Sequence, residues 1–217
     1  MGKLTTCDDA KSNLKLDWDP RDYTVFTCPN EYSFAIQKNV DPISVDMVAH
    51  NTSFDPRKDE VVHKCMDTVL QYDELVPIRG DHRPNWAKYG EYLYVPVQRW
   101  LHNLEHGAVV MLYHPCANQY EVNSLREILT SCLYRHVITP YNKLSHTRPI
   151  ALVSWGARIE MNYVDEEQVV AFIKKFARRA PEDISRNGLY DQFLVRPAQI
   201  ISDENDSNIC VDYRLGH

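Results

Sequence analysis

Histidines are concentrated in residues 80–116, which hold four of the nine in the chain. Two of them, His102 and His106, are four residues apart, so on a helix their side chains leave one face about one turn apart. That spacing lets two imidazoles bind one metal ion. A metal site needs a third protein ligand, and His82 is the natural candidate because the preceding Gly80 indicates a tight turn. We therefore predict that His82, His102 and His106 bind one ion together.

Glu105 lies within the same motif and has two candidate roles. The five residues from His102 to His106 match H-x-x-E-H, a metalloprotease motif in which the glutamate is the general base toward a metal-bound water. In that motif the helix is long, whereas here Gly107 follows at once. Glu105 is therefore either a catalytic base or a residue that orients a ligand histidine.

The donor set limits the metal and the reaction. Three neutral imidazoles suit zinc, copper, iron or nickel better than magnesium or calcium. Copper is favoured over zinc on two grounds, an oxidising compartment and the thioether sulfurs of Met111 and Met161 as weak axial ligands. The leading prediction is a secreted or luminal metalloprotein whose three-histidine site keeps an open position; with copper it would be an oxidoreductase, and its small-molecule or peptide substrate is not identified by the sequence. The alternatives are a zinc hydrolase with Glu105 as base and a non-enzymatic, disulfide-stabilised binding module.

The elements that position these residues follow from hydrophobic periodicity. The predicted strands are residues 92–96, 108–113, 136–139, 149–155 and 157–161. A helix is predicted over residues 121–134, and a second one starts at Asp165 with acidic residues in its first turn. This order predicts an α+β fold, a mixed sheet with helices on one face.

The first 60 residues differ in character, since they are polar and broken by four prolines. Residues 22–26 and 32–36 alternate like short edge strands. We predict an irregular, disulfide-stabilised N-terminal region over residues 1–60, packed on a single α+β domain over residues 61–217 that carries the three-histidine site.

Six cysteines form no CxxC pair, and their even number is typical of three disulfides in a secreted or luminal protein. Cys116 and Cys132 bracket one predicted helix, and we expect them to be bonded to each other. Asn51 and Asn205 begin glycosylation patterns that fit the same compartment.

Composition excludes several classes of function. The net charge of −6 argues against a nucleic-acid partner. The longest apolar run, residues 108–113, is too short to span a bilayer. Residues 1–6 lack the apolar core of a signal peptide, although Gly2 and Thr6 fit a myristoylation pattern. Neither a phosphate-binding glycine loop nor a nucleophile elbow occurs.

Several segments together resemble the domain-of-unknown-function family 3105, over roughly residues 65–185. The matching segments are residues 77–82, Trp86, and residues 89–92, 97–110, 138–140, 151–156 and 172–182. The resemblance is closest to the animal branch of the family. It implies that His82, His102 and His106 recur as a trio, and that the domain is luminal or extracellular.

Overall fold

The structure, a computed structural model, describes residues 7–29 and 32–213. Its strands are β1 (Ile43–Asp46), β2 (Gly90–Tyr92), β3 (Val109–Tyr113), β4 (His136–Pro140), β5 (Ile150–Ser154), β6 (Ala157–Met161) and β7 (Leu194–Pro197). Its helices are α1 (Met47–His50), α2 (Val97–Glu105), α3 (Gln119–Cys132) and α4 (Glu166–Phe176). Among these described residues, no helix is both long and apolar enough to cross a membrane.

All seven strands form one mixed sheet in the order β1-β6-β5-β3-β4-β2-β7. The three neighbours β3, β4 and β2 run parallel, while every other pair is antiparallel. The helix α3 connects β3 to β4 as the crossover that a parallel pair requires. The predicted α+β fold with a mixed sheet is therefore confirmed.

The sheet separates two apolar layers, because successive side chains of a strand point to opposite faces. Val110 and Leu112 of β3 pack in the layer that contains α2. Val109 and Met111 pack in the layer of α3 and α4. The two longest helices thus share one face, as predicted, and α2 lies on the other with the N-terminal region.

Three predicted strands are wrong or displaced. Residues 22–26 contain a 3-10 turn, Tyr23–Val25, because the Asp22 carboxylate accepts a hydrogen bond from the Thr24 amide and caps the turn. Residues 32–36 form no strand, and the first strand of the sheet is instead β1, which pairs with β6. The strand expected at residues 92–96 lies at Gly90–Tyr92, since Pro96 is the N-cap of α2 and the chain turns into the helix there.

The division of the chain at residue 60 stays a prediction. Its first segment includes residues 1–6 and 30–31, which lie outside the described residues, as does the myristoylation pattern at Gly2.

All six cysteines are paired, as Cys7–Cys65, Cys28–Cys116 and Cys132–Cys210. The predicted bond between Cys116 and Cys132 is therefore wrong. Cys132 is the last of the 14 residues of α3, and Cys116 lies before the helix begins; a helix of that length spans about 21 Å at about 1.5 Å per residue. Disulfide bonds require Cα atoms within about 7 Å, so each end of the helix must find a partner elsewhere.

Buried ion pairs fasten the N-terminal region to the chain around α2. Both oxygens of Asp8 accept from the Arg99 guanidinium, at 2.6 and 3.0 Å. Asp17 accepts from Arg83 at 2.5 to 3.0 Å, and Arg83 also donates to the carbonyls of Lys64 and Thr68. The N-terminal region therefore holds the residues that flank His82.

Candidate metal centre

The end of α2 carries three polar residues of the candidate site. His102 and Glu105 lie in its last turn, and His106 follows as the C-terminal cap. Gly107 then has φ of +82°, the left-handed conformation that ends many helices at glycine. A Cβ at Gly107 would lie 2.8 Å from the Cα of Arg178, so the helix end also needs the small residue for space.

A distant segment covers the helix end. The Arg178 amide donates to the Gly107 carbonyl at 2.9 Å, and the Glu182 amide donates to the Glu105 carbonyl at 3.0 Å. Carbonyls in the last turn of a helix lack partners within it, so this segment satisfies them. The same contact brings the Glu182 side chain to the cluster.

A loop pairing delivers the remaining histidines. Gly80, with φ of +135°, turns the chain into His82. His82 then pairs with His63 in an isolated parallel bridge, in which the His82 amide donates to Val62 at 3.3 Å and the Lys64 amide donates to His82 at 2.8 Å. This pairing places the two imidazoles side by side, with ring centroids 4.9 Å apart.

Three imidazoles converge on one carboxylate oxygen. The Oε2 atom of Glu105 lies 3.1 Å from Nε2 of His63, 3.1 Å from Nε2 of His82 and 3.5 Å from Nε2 of His102. The four ligand atoms all lie within 4.8 Å of one another. Two ligands of a tetrahedral ion with bonds of about 2.1 Å are separated by about 3.4 Å. The four groups could therefore hold a transition metal ion.

His106 stands beside this group. Its Nε2 atom lies 2.8 Å from Nε2 of His102 and 3.4 Å from Oε2 of Glu182. Glu105, His106 and Glu182 form a second group whose ligand atoms lie within 4.8 Å of one another. The two groups share Glu105.

Backbone carbonyls fix the tautomers of two histidines. Nδ1 of His82 lies 2.8 Å from the Gly80 carbonyl, and Nδ1 of His102 lies 2.6 Å from the Arg83 carbonyl. A carbonyl only accepts, so both Nδ1 atoms carry a proton, and either ring, when it is neutral, presents its lone pair at Nε2. Those lone pairs face the oxygen of Glu105, which is itself an acceptor. A cation between them removes the repulsion.

Burial sets the protonation states in the cluster. It lowers the pKa of His102 well below its usual value, and the neighbouring His82 and His106 lower it further. Burial likewise lowers the pKa of His106, to about 3. For Glu105, burial raises the pKa, but the contacts with His63 and His82 outweigh it and the net pKa is well below its usual range. At neutral pH His102 and His106 are thus neutral and Glu105 is ionised, the states that bind metals.

Two tryptophans wall the cluster. The Trp86 ring lies 4.9 Å from the His102 ring and 4.2 Å from the His106 ring, and the Trp155 ring lies 6.2 Å from the His82 ring. Solvent reaches the cluster at two side chains, His63 (37% exposed) and Glu182 (30% exposed). The cluster is therefore buried, with access to solvent at these two side chains.

The structure brings all three predicted histidines together with Glu105, and it adds two residues. His63 and Glu182 were not predicted. No local spacing identifies His63, because its partner is His82, 19 residues away. Glu182 does lie at the end of a segment quoted for the family resemblance, which is a signal that could have found it.

The expected methionine ligands are wrong. Met111 and Met161 lie in the layer of α3 and α4, across the sheet from the histidines, so neither is an axial ligand. His114 follows the far end of β3, where its ring packs 4.7 Å from that of Phe34.

The fold and the cluster define a disulfide-stabilised α+β protein with a buried group of histidines and glutamates. The family model described as "Protein of unknown function (DUF3105)" matches residues 63–188, more than half of the 217 residues, so the chain belongs to this family. The match begins at His63 and includes every residue of the cluster. Comparisons with curated proteins and with solved structures gave no match.

Proposed function

We propose that this chain is a metalloprotein whose transition metal ion is bound by His63, His82, His102 and Glu105. The observation that carries the proposal is the orientation of His82 and His102. Backbone carbonyls hold their Nδ1 protons, so each ring, when it is neutral, turns an Nε2 lone pair toward the Glu105 carboxylate and cannot donate a hydrogen bond to it. A metal ion satisfies all of these atoms at once, and the orienting carbonyls are a usual feature of metal-binding histidines.

We still favour copper, although one of the two grounds for it no longer holds. The methionine argument no longer applies, since both thioethers lie across the sheet. The stability of complexes with nitrogen and oxygen donors is highest for copper among the divalent first-row metals, and three disulfides fit an oxidising compartment. Bound copper would supply one-electron redox chemistry, so the activity we propose is that of an oxidoreductase with its substrate at the His63 edge.

A zinc hydrolase is the second candidate. Here Glu105 is poorly placed as general base, because its Oε2 atom already contacts three ring nitrogens. Glu182 is the better base, since its side chain is 30% exposed and lies 3.4 Å from Nε2 of His106. The non-enzymatic candidate is a binding module in which the ion ties the His63 loop to α2.

The location we propose is the secretory pathway or the cell exterior, as in the animal branch of the family, in which we place the chain. The disulfides support this location. Asn51 and Asn205 are both exposed, so both remain candidates for glycosylation.

Metal analysis tests the proposal directly. The chain, produced without a histidine tag under oxidising conditions, should retain a transition metal through dialysis, measured by mass spectrometry of the ions. His82→Ala and His102→Ala should each lower the retained metal sharply. His50→Ala and His146→Ala are matched controls on exposed histidines and should leave it unchanged. Equal metal content in all four variants would overturn the proposal, and electron paramagnetic resonance of the bound ion identifies copper.

A further inference from the structure

We infer that the cluster holds a second, weaker cation, bound by Glu105, His106 and Glu182, so that Glu105 bridges two ions. The inference rests on the proposed function, because one of its ligands is shared with the first ion. It gives His106 a role distinct from the single-ion role that the sequence predicts.

The first step concerns the lone pair of His102. Its Nδ1 proton is committed to the Arg83 carbonyl, so a neutral His102 has one lone pair, at Nε2. In the proposed site that lone pair binds the first ion. Nε2 of His106, only 2.8 Å away, then has no acceptor in His102 for a proton of its own. The Oε2 atom of Glu182 lies 3.4 Å from it, longer than a usual hydrogen bond and equal to the separation of two ligands around one tetrahedral ion, so a cation between them fits both atoms.

The second step concerns the surroundings of His106. The residue is fully buried, and within the described chain its Nδ1 atom has no hydrogen-bond partner. Glu182 lies 3.4 Å from its Nε2 atom, and Glu105 joins the same group within 4.8 Å. One imidazole and two carboxylates are a donor set for a divalent ion.

The third step concerns the order of binding. The first position has three imidazoles, and the second has one. Arg186 brings a positive charge close to the second position, because its guanidinium stacks 4.8 Å above the Trp86 ring, which lies 4.2 Å from the His106 ring. That charge opposes a cation nearby. The second ion should therefore bind after the first and more weakly, at the separation of about 3.5 to 4 Å usual for paired ions.

Copper titration followed by electron paramagnetic resonance is the test, because copper binds nitrogen and oxygen donors most strongly. The wild-type chain should bind two Cu²⁺ ions in separable steps. The first equivalent should give the full signal of an isolated ion, and the second should reduce the signal per copper, since bridged ions at this distance couple. Glu182→Gln should bind one ion with the full signal. Glu167→Gln, on the exposed face of α4, is the matched control and should bind two.

The contrary outcomes separate this inference from the proposed function. A wild-type chain that binds one ion, unaffected by Glu182→Gln, would overturn the second position alone. If that single ion is lost in His106→Ala, the site is the one predicted from the sequence, in which His82, His102 and His106 share one ion. A wild-type chain that binds no ion would overturn the proposed function itself. Circular dichroism and thermal melting establish that each variant is folded before titration.

Discussion

At the scale of single residues, two backbone carbonyls determine what the cluster can bind. The carbonyls of Gly80 and Arg83 hold the Nδ1 protons of His82 and His102, so both Nε2 atoms are acceptors. Glu105 offers them a third acceptor rather than a donor. Its position is that of a metal ligand. Its removal should therefore lower the affinity for the metal, before any effect on a substrate.

Glu105→Gln should therefore weaken metal binding, because the amide keeps the shape of the side chain and loses its charge. We expect the dissociation constant to rise by at least roughly 10-fold, the lower bound for residues that merely orient a ligand. Competition with a chromophoric chelator measures it. Glu91→Gln is the control, since Glu91 pairs with Arg126 at 3.0 Å outside the cluster. Unchanged metal affinity with abolished turnover would instead make Glu105 the general base.

Local spacing explains which of these residues the sequence could predict. His102 and Glu105 are three residues apart on one helix, so their neighbourhood follows from helical geometry alone. His63 and Glu182 reach the cluster through a loop bridge and a covered helix end, contacts between residues far apart in the chain. Such contacts depend on the whole fold, and one sequence carries no periodic signal for them.

At the scale of secondary-structure elements, the short length of α2 is what assembles the cluster. The helix stops at Glu105, and the segment from Arg178 to Glu182 packs over its last carbonyls. A longer helix would occupy the space of that segment and would carry Glu182 away. Gly107 therefore sets both the end of the helix and the composition of the site.

Gly107→Ala should destabilise the protein by more than the conformational cost of positive φ, which is about 1–2 kcal/mol. The added Cβ would lie 2.8 Å from the Cα of Arg178, so the covering segment must move. Gly107→Asn separates the two causes, because asparagine tolerates positive φ but has the same Cβ. Urea denaturation with the disulfides intact should show a loss for both variants. Wild-type stability in the asparagine variant would mean that space is not limiting.

The elements themselves divide by the strength of their patterns. Strands β3 to β6 and helices α3 and α4 have apolar periodicities that predict them within a few residues. The strand β1 has no such pattern, because it is a four-residue edge strand whose residues are exposed or half-buried. The pairing of the cysteines also cannot be predicted from the sequence, since six cysteines allow 15 connectivities.

At the scale of the whole molecule, the N-terminal region supports the metal centre. The Cys7–Cys65 bond lies two residues from His63, and the carbonyl of Arg83 orients His102 while its side chain is held by Asp17. The Cys132–Cys210 bond ties the other face of the sheet. The two bonds close loops of similar size and differ in what they adjoin.

Removing each bond by paired serine substitution should separate stability from metal affinity. The sequence separations of 58 and 78 residues predict a similar loss of about 4 kcal/mol on the chain-entropy model. Cys7→Ser with Cys65→Ser should also weaken metal binding, because the His63 loop is released. Cys132→Ser with Cys210→Ser should leave the affinity unchanged in the folded protein. Chemical denaturation measures the free energy of unfolding, and chelator competition measures the metal affinity. Equal losses of affinity in the two variants would contradict a supporting role of the Cys7–Cys65 bond in the metal centre.

The net charge of −6 predicts that the chain does not bind DNA or RNA at physiological salt. Nucleic-acid affinity is dominated by phosphate contacts, which require a basic face. Fluorescence anisotropy with labelled duplex and single-stranded oligonucleotides checks this. Micromolar binding that weakens with added salt would show that a basic surface exists after all.

The connectivity of the first two disulfides has a consequence for biosynthesis. Cys7 bonds to Cys65 and Cys28 bonds to Cys116, so the two bridges interleave along the chain. During translation Cys7 and Cys28 emerge first, and they are not partners. The nascent chain must keep both thiols reduced until Cys65 and Cys116 emerge, or exchange a premature Cys7–Cys28 bridge through a mixed disulfide. Its yield in a cell should therefore rise with the supply of disulfide isomerase and not with oxidant alone.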